Sequence, residues 1–421
     1  MTSIFTPLTL PNGAVLPNRL AKAAMEENMA GTGQVPDEAL FTLYRRWSAG
    51  GTGLLITGNV MVHAAAMTGP AGVVLDADSP LAPFAAWAEA AHSGGAKVWM
   101  QVNHPGRQVE ADMPGVAWGP SALRVDVGRN SARFATPTAM TAAQIEATVE
   151  RFATTARRAE EAGFDGVEIH AAHGYLLSQF LSPLANQRTD QWGGSLENRA
   201  KLLLDVVRAV RDAVRPGFAV AVKLNSADFQ RGGFDETDAQ RVIALLAPLG
   251  VDLVELSGGS YESPAMTGNG PDERTRRREA YFLALAAELA ETSPLPLMLT
   301  GGIVRRPVAE DVLASGVAVV GMGTALAMNP DLPARWRADA TASVDLAPVQ
   351  TRDKAVASAL GMARVRYQLR RLGSGRATRP GVRPVLAYAH ESWRRRSALR
   401  RYRTWLATPR TTDRTSDHAA A

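Results

Sequence analysis

The sequence predicts a (β/α)8 barrel, and three observations carry that expectation: eight short apolar runs, helical periodicity between them, and glycine pairs after the last two runs. At 421 residues with 46% hydrophobic content, the chain can bury one large core. A single barrel of about 250 residues or more is ordinary, so length does not force two domains.

The apolar runs fall at residues 20–25, 53–57, 97–102, 166–170, 219–224, 253–256, 297–300 and 318–321. Eight is the number a closed barrel needs. Thr141 and Gln144 form a capping box ahead of a helix carrying Ile145, Val149 and Phe152, with Gly163 placed to stop it. A second helix over 196–214 ends before Pro216, and a third over 238–249 ends at Gly250. Two stretches break the alternation. Residues 9–17, centred on Pro-Asn-Gly, read as a hairpin plugging the amino-terminal end of the barrel. Residues 104–140, rich in Gly, Pro and Arg, follow the third strand, where a barrel places active-site loops, and are expected to form a lid. The barrel is expected to occupy residues 1–345, and residues 346–421 a helical basic extension broken between Gly373 and Pro384.

There are no cysteines, which excludes disulfides, thiolate zinc sites, iron–sulfur clusters and a cysteine nucleophile. Redox chemistry therefore requires a bound cofactor. The start, MTSIFTPLTLPNG, has no basic leader or apolar signal core, which makes the cytoplasm the expected location. The longest apolar stretch, 317–328, is interrupted by Gly321, Gly323 and Thr324 and is too short to span a bilayer. Residues 351–421 hold 17 Lys+Arg against 4 Asp+Glu, so the net charge of +5 conceals a basic tail on an acidic barrel. Such a run suits a solvated helical face, or an anionic partner such as nucleic acid, lipid or a phosphorylated ligand.

Catalytic groups of a barrel sit at the carboxyl ends of its strands. Those ends supply Met25 and Glu26, Thr57 and Gly58, Gln101 and Asn103, His170 with His173 and Tyr175, Lys223 and Asn225, Gly301 and Gly302, then Gly321 and Gly323. The glycines in LTGGI and GMG let backbone N–H groups approach a phosphate, or merely permit tight turns. Lys223 needs a counter-charge in an apolar mouth: a reduced flavin ring would supply one, and so would Glu255 or Glu168 on neighbouring strands. His170-Ala-Ala-His173-Gly-Tyr175 offers two imidazoles and a phenol to an oxygen gathering negative charge. Zinc binding with Glu168 or Asp190 as third ligand, or a purely structural histidine pair, are the alternatives.

The run DGVEIHAAHGYLLSQFLSPLANQRTDQWGGSLENR at 165–199, with LPNRLAKAAM, MQVNHPGRQ, AVKLNSADF and LTGGI, closely resembles the Old Yellow Enzyme family of NAD(P)H:flavin oxidoreductases, over roughly residues 4–335. The resemblance implies non-covalent FMN, with NADH or NADPH as hydride donor and an activated alkene as substrate. It implies that Gln101 and Lys223 bind the flavin's pyrimidine edge. Met25 and Gly58 would line the ring, and Gly301, Gly302 and Gly323 would hold the phosphate. His170 and His173 would bind the substrate oxygen, and Tyr175 would protonate Cα while hydride reaches Cβ in a ping-pong cycle. Tyr261 would help shape the substrate pocket.

Three positions depart from the family. Glu26 stands where Cys or Thr is usual near the flavin, and a carboxylate there disfavours an anionic reduced ring. Thr324 replaces a phosphate-binding Arg, and Lys223 replaces a planar Arg donor with a point charge. Multidomain relatives of the dienoyl-CoA reductase or trimethylamine dehydrogenase type use cluster-binding cysteines, which are absent. A dihydrouridine synthase acting on RNA would explain the basic tail, yet it too relies on a cysteine; nucleic acid is not an expected partner. A non-catalytic barrel would have no use for His170, His173, Tyr175 and Gln101 together. The tail arginines are candidates for docking on the barrel or on a second copy in a homo-oligomer, or for attracting the phosphates of NADPH or an acyl-CoA.

Overall fold

The computed structural model describes residues 3–263, 283–346, 349–351 and 354–410. Eight parallel strands close on themselves: β1 Leu20–Lys22, β2 Leu54–Ile56, β3 Lys97–Asn103, β4 Gly166–Ala171, β5 Ala219–Asn225, β6 Leu253–Ser257, β7 Leu297–Thr300 and β8 Val319–Met322. β8 pairs back onto β1 through Val320–Leu20 and Met322–Lys22, so the eight strands close into a barrel, and the short strands Val60–Met61 and Val73–Val74 extend the same sheet from β3. Each expected apolar run overlaps one of these strands, five of which end one residue later than expected. The first is shorter than expected, because after Ala23, whose N–H still reaches the Met322 carbonyl, the chain swings outward to carry Met25 and Glu26 to the mouth.

Helices α1 Glu38–Ala49, α2 Ala82–His92, α3 Ala142–Glu161, α4 Leu176–Leu181, α5 Leu196–Ala213, α6 Glu236–Leu246, α7 Leu283–Thr292, α8 Arg306–Ala314, α9 Thr324–Met328 and α10 Leu332–Ala338 surround the barrel. The Thr141–Gln144 capping box forms in both directions at the start of α3. α6 starts two residues earlier than the sequence suggests, because the Asp235 carboxylate caps it by accepting from the Asp238 N–H. Pro248 tightens its end into a 3₁₀ turn, Ala247–Leu249. Leu8–Thr9 pairs antiparallel with Val15–Leu16, and Leu10 and Leu16 pack on Leu54, Trp99, Ala219 and Met298, closing the barrel floor. Asn12 fixes this hairpin by donating to Asp252 and to the Gly217 carbonyl.

Residues 104–140 cross the opposite end, with a short parallel pairing of Trp118–Gly119 and Thr138–Ala139 and one 3₁₀ turn, Gly128–Arg133. The tail folds as α11 Lys354–Gly373 and α12 Pro384–Leu406. Leu369 and Leu372 of α11 enter the main core, while Leu399 and Tyr402 of α12 pack with Met61, Met67, Val74 and Met113. The Tyr402 hydroxyl donates to the Ala64 carbonyl, and Arg410 grips Asp76 with both oxygens at 2.7 Å. The basic extension therefore docks on its own barrel, at the end where the strands finish. Among the described residues no helix is long and apolar enough to cross a membrane.

Candidate active site

At the carboxyl end of β4 the chain leaves the sheet through His170, turns sharply, and enters α4 at Tyr175. The turn is forced: His173 has φ 60 and Gly174 φ 72, and a Cβ on Gly174 would come within 2.9 Å of Gln108 and Ser260. Only glycine fits there. A side-chain residue held in the left-handed region needs support from outside, and His173 has it. Its N–H donates to Asn225 Oδ1 at 3.0 Å, its carbonyl accepts from Gln108, and its Nε2 lies 2.7 Å from Ser257 Oγ. Asn225 is oriented in turn, because its Nδ2 donates to Asp228 and to the Gly259 carbonyl.

The result is a compact cluster. The His170 ring stands edge-on to those of His173 and Tyr175, with centroids 5.0 and 4.8 Å apart. The Tyr175 hydroxyl lies 3.1 Å from that of Tyr261, and Tyr261 contacts Phe134 of the 104–140 segment. Burial, the neighbouring imidazole and the Lys223 cation hold His170 well below the usual histidine pKa. Burial and Lys223 bring His173 down to about 3. Burial, Tyr261 and the Glu26 carboxylate push Tyr175 well above the usual tyrosine value. All three are neutral near pH 7. Because His170 Nδ1 accepts the Ala172 N–H, its own proton sits on Nε2, so the ring is a donor to whatever faces it.

Inside the barrel, β4, β5 and β6 place Glu168, Lys223 and Glu255 at adjacent registers, with Gln101 beside Glu168. Lys223 Nζ pairs with Glu255 at 2.7 Å, and Gln101 Nε2 donates to Glu168 at 2.6 Å. The counter-charge of Lys223 is thus a carboxylate of the protein. Burial lowers the lysine's pKa, but Glu255 and Glu168 outweigh it and hold the cation above its ordinary value. Burial and the Glu255 charge raise Glu168 well above its ordinary carboxylate value. Lysine has three N–H donors and Glu255 takes one, leaving two for a further acceptor.

At the strand ends of β7 and β8 there is no comparable side chain. Gly301 is buried, Gly302 is exposed at φ 67, and Gly323 opens α9 beside Met25, followed by exposed Thr324. Cβ-free backbone at one end, with Gln101 and a lysine with spare donors at the other, matches the phosphate and polar ring edge of FMN. Two of the expected site residues have protein partners. The Gly58 N–H is already used by Glu27 and Tyr44, within a buried cluster that also holds Lys22. Glu26 is not an uncompensated charge near a ring: Arg366 of α11 pairs with it at 2.6 Å, and Thr68 donates to it. Among the described residues no group of three His, Asp or Glu side chains is placed to hold a metal, and Asp190 is bonded to Arg188.

Ser257, Gln108 and Arg366 escaped the sequence reading. Ser257 could have been found from the parallel order, which sets the end of β6 beside Asn225 on β5. Arg366 lies 340 residues from Glu26, and no spacing signals that pair.

Residues 3–341 match the NADH:flavin oxidoreductase / NADH oxidase family. An NADH-dependent flavin oxidoreductase of Hypocrea jecorina is 37% identical over 351 residues, spanning 78% of this chain and 87% of that protein. Among solved structures, the Old Yellow Enzyme homologue of Zymomonas mobilis superposes with a TM-score of 0.68 at 25% identity, over 81% of this chain and 95% of that one. A 2-naphthoyl-CoA reductase in complex with 2-naphthoyl-CoA reaches a TM-score of 0.75 at 25% identity, over 83% of this chain and 54% of that longer one. With the barrel, the histidine pair and the glycine cradle already in place, these likenesses establish that the chain belongs to the Old Yellow Enzyme family of NADH:flavin oxidoreductases.

Proposed function

We propose that this oxidoreductase is an ene-reductase, which uses FMN with NADH or NADPH to reduce the C=C bond of enones, enals or nitroalkenes. The observation that carries the reading is the meeting of three neutral donors, His170, His173 and Tyr175, on one face of the barrel mouth. Bound FMN supplies the hydride carrier between nicotinamide and alkene. Gly301, Gly302, Gly323 and Thr324 would hold its phosphate; Gln101 and Lys223 would hold its polar ring edge; Met25 and Gly58 would line it. His170 Nε2–H and a ring N–H of His173 hold the carbonyl or nitro oxygen and draw electron density away from Cβ, where the hydride arrives. Tyr175 gives its proton to Cα, and Tyr261, within hydrogen-bond reach, stabilises the oxygen left behind. A charged imidazolium is not needed, because a preorganised neutral donor in a dry site already stabilises the developing charge. Residues 104–140 act as the lid, with Phe134 against Tyr261.

The test is anaerobic turnover of NADH and NADPH with cyclohexenone, cinnamaldehyde and a nitroalkene. Turnover of at least one is expected, and none across the panel overturns the reading. A second reading, a CoA thioester as the alkene substrate, draws support from the structural neighbour that holds 2-naphthoyl-CoA.

A further inference from the structure

We infer that the cavity between the tail helices and the barrel mouth binds a ribose-phosphorylated adenosine diphosphate, the group shared by NADPH and coenzyme A thioesters. The inference rests on the ene-reductase reading and names the ligand that approaches the same site. The cavity encloses about 1210 Å³, above the roughly 300–1,000 Å³ typical of small-molecule pockets. Tyr261, Glu26 and Arg366 line it, and the Tyr261 hydroxyl lies 3.1 Å from that of Tyr175, which sets the cavity next to the histidine–tyrosine cluster.

Charge decides the ligand class. Nine arginines and five carboxylates line the cavity. The carboxylates are engaged: Arg366 takes Glu26, Arg370 takes Glu391, Arg395 takes both Glu110 and Asp112, and Asp37 caps α1. Arg371, Arg376, Arg394 and Arg401 line the same space with no carboxylate within 4.0 Å among the described residues. Burial, then the nearby Arg370 cation, lowers Arg394 from its ordinary value, with Arg401 adding to the crowding. A wall of like charges lowers its energy by taking up an anion, and guanidinium forks match phosphate geometry. A diphosphate carries about two negative charges and a ribose monophosphate about two more, which fits the surplus of arginines. Tyr367 and Tyr388 on the same wall offer aromatic faces to an adenine ring.

The full chain, carrying its flavin, should be titrated calorimetrically with adenosine 2′,5′-bisphosphate, adenosine 3′,5′-bisphosphate and ADP at low salt. One bisphosphate is expected to bind about tenfold more tightly than ADP, and to weaken about tenfold for each arginine removed in Arg394→Ala and Arg401→Ala. Preference for the 2′ isomer assigns the cavity to NADPH; preference for the 3′ isomer assigns it to an acyl-CoA. Binding no tighter than ADP, or unchanged in both variants, overturns the inference. A protein that reduces enones with NADH yet binds neither bisphosphate fails this inference alone, whereas one that holds no flavin fails the reading beneath it.

Discussion

The two halves of the barrel mouth solve different problems with different materials. Along β4, β5 and β6 the site is made of side chains, each fixed by a neighbour: His173 by Asn225 and Ser257, Lys223 by Glu255, Tyr175 by Tyr261. Along β7 and β8 it is bare backbone, with Gly301, Gly302 and Gly323 carrying no side chain. Side chains can tune proton affinity and hold a substrate oxygen. Backbone can hold a phosphate but offers nothing to titrate. Substitutions on the first wall are therefore expected to cost rate and stability, and those on the second to cost cofactor affinity.

The largest effect tests the side-chain wall. Tyr175→Phe should slow alkene reduction by about 10²–10⁴, the range for a lost general acid. Flavin reduction by nicotinamide should stay within about twofold, which stopped-flow separation of the two half-reactions would check. Next in size, Glu255→Ala strands Lys223 as a buried unpaired cation, and should lower unfolding free energy by about 3–5 kcal/mol in urea titrations. A smaller cost would mean that Glu168 takes over the lysine.

A pH series sharpens the same side of the contrast. In the folded chain His173 titrates at about 3 and His170 well below the usual histidine value, while the unfolded chain protonates both below about 6.5. The unfolded state then binds more protons, so this stability is complete above about pH 6.5. It falls as pH drops toward 3, by up to about 1.4 kcal/mol per pH unit for each histidine. Denaturation midpoints at pH 7.5 and 5.5 should show the decline, and His173→Gln should reduce it. The smallest effect falls on the backbone cradle. Gly302→Ala places a Cβ at φ 67, a strain of about 1–2 kcal/mol, and should weaken FMN retention about tenfold with the histidine cluster untouched. Fluorescence of released FMN measures it.

The same contrast governs what could be read from the sequence. Parallel strands buried on both faces are continuous apolar runs, so all eight could be placed, and the His170 to Tyr175 turn stood out because its chemistry is contiguous. The Lys223–Glu255 pair was legible as one of two alternatives, since neighbouring parallel strands bring equivalent positions together. What was not legible comes from distant chain segments. Docking of the tail arginines on the barrel is among the sequence expectations, but that Arg366 is the one to meet Glu26 depends on α11 inserting Leu369 and Leu372 into the main core. The Glu26 charge is therefore balanced by a partner in the tail that the sequence does not signal.

In the proposed reaction His170, His173 and Tyr175 serve the alkene and not the nicotinamide. This is tested most directly by reducing the flavin anaerobically with NADH, then mixing with cyclohexenone, in the unaltered protein and in a His170→Ala/His173→Ala variant. The flavin bands should bleach in both and return rapidly only in the unaltered protein, with the variant slowed by about 10²–10³. Return at equal rates in the two proteins would contradict it.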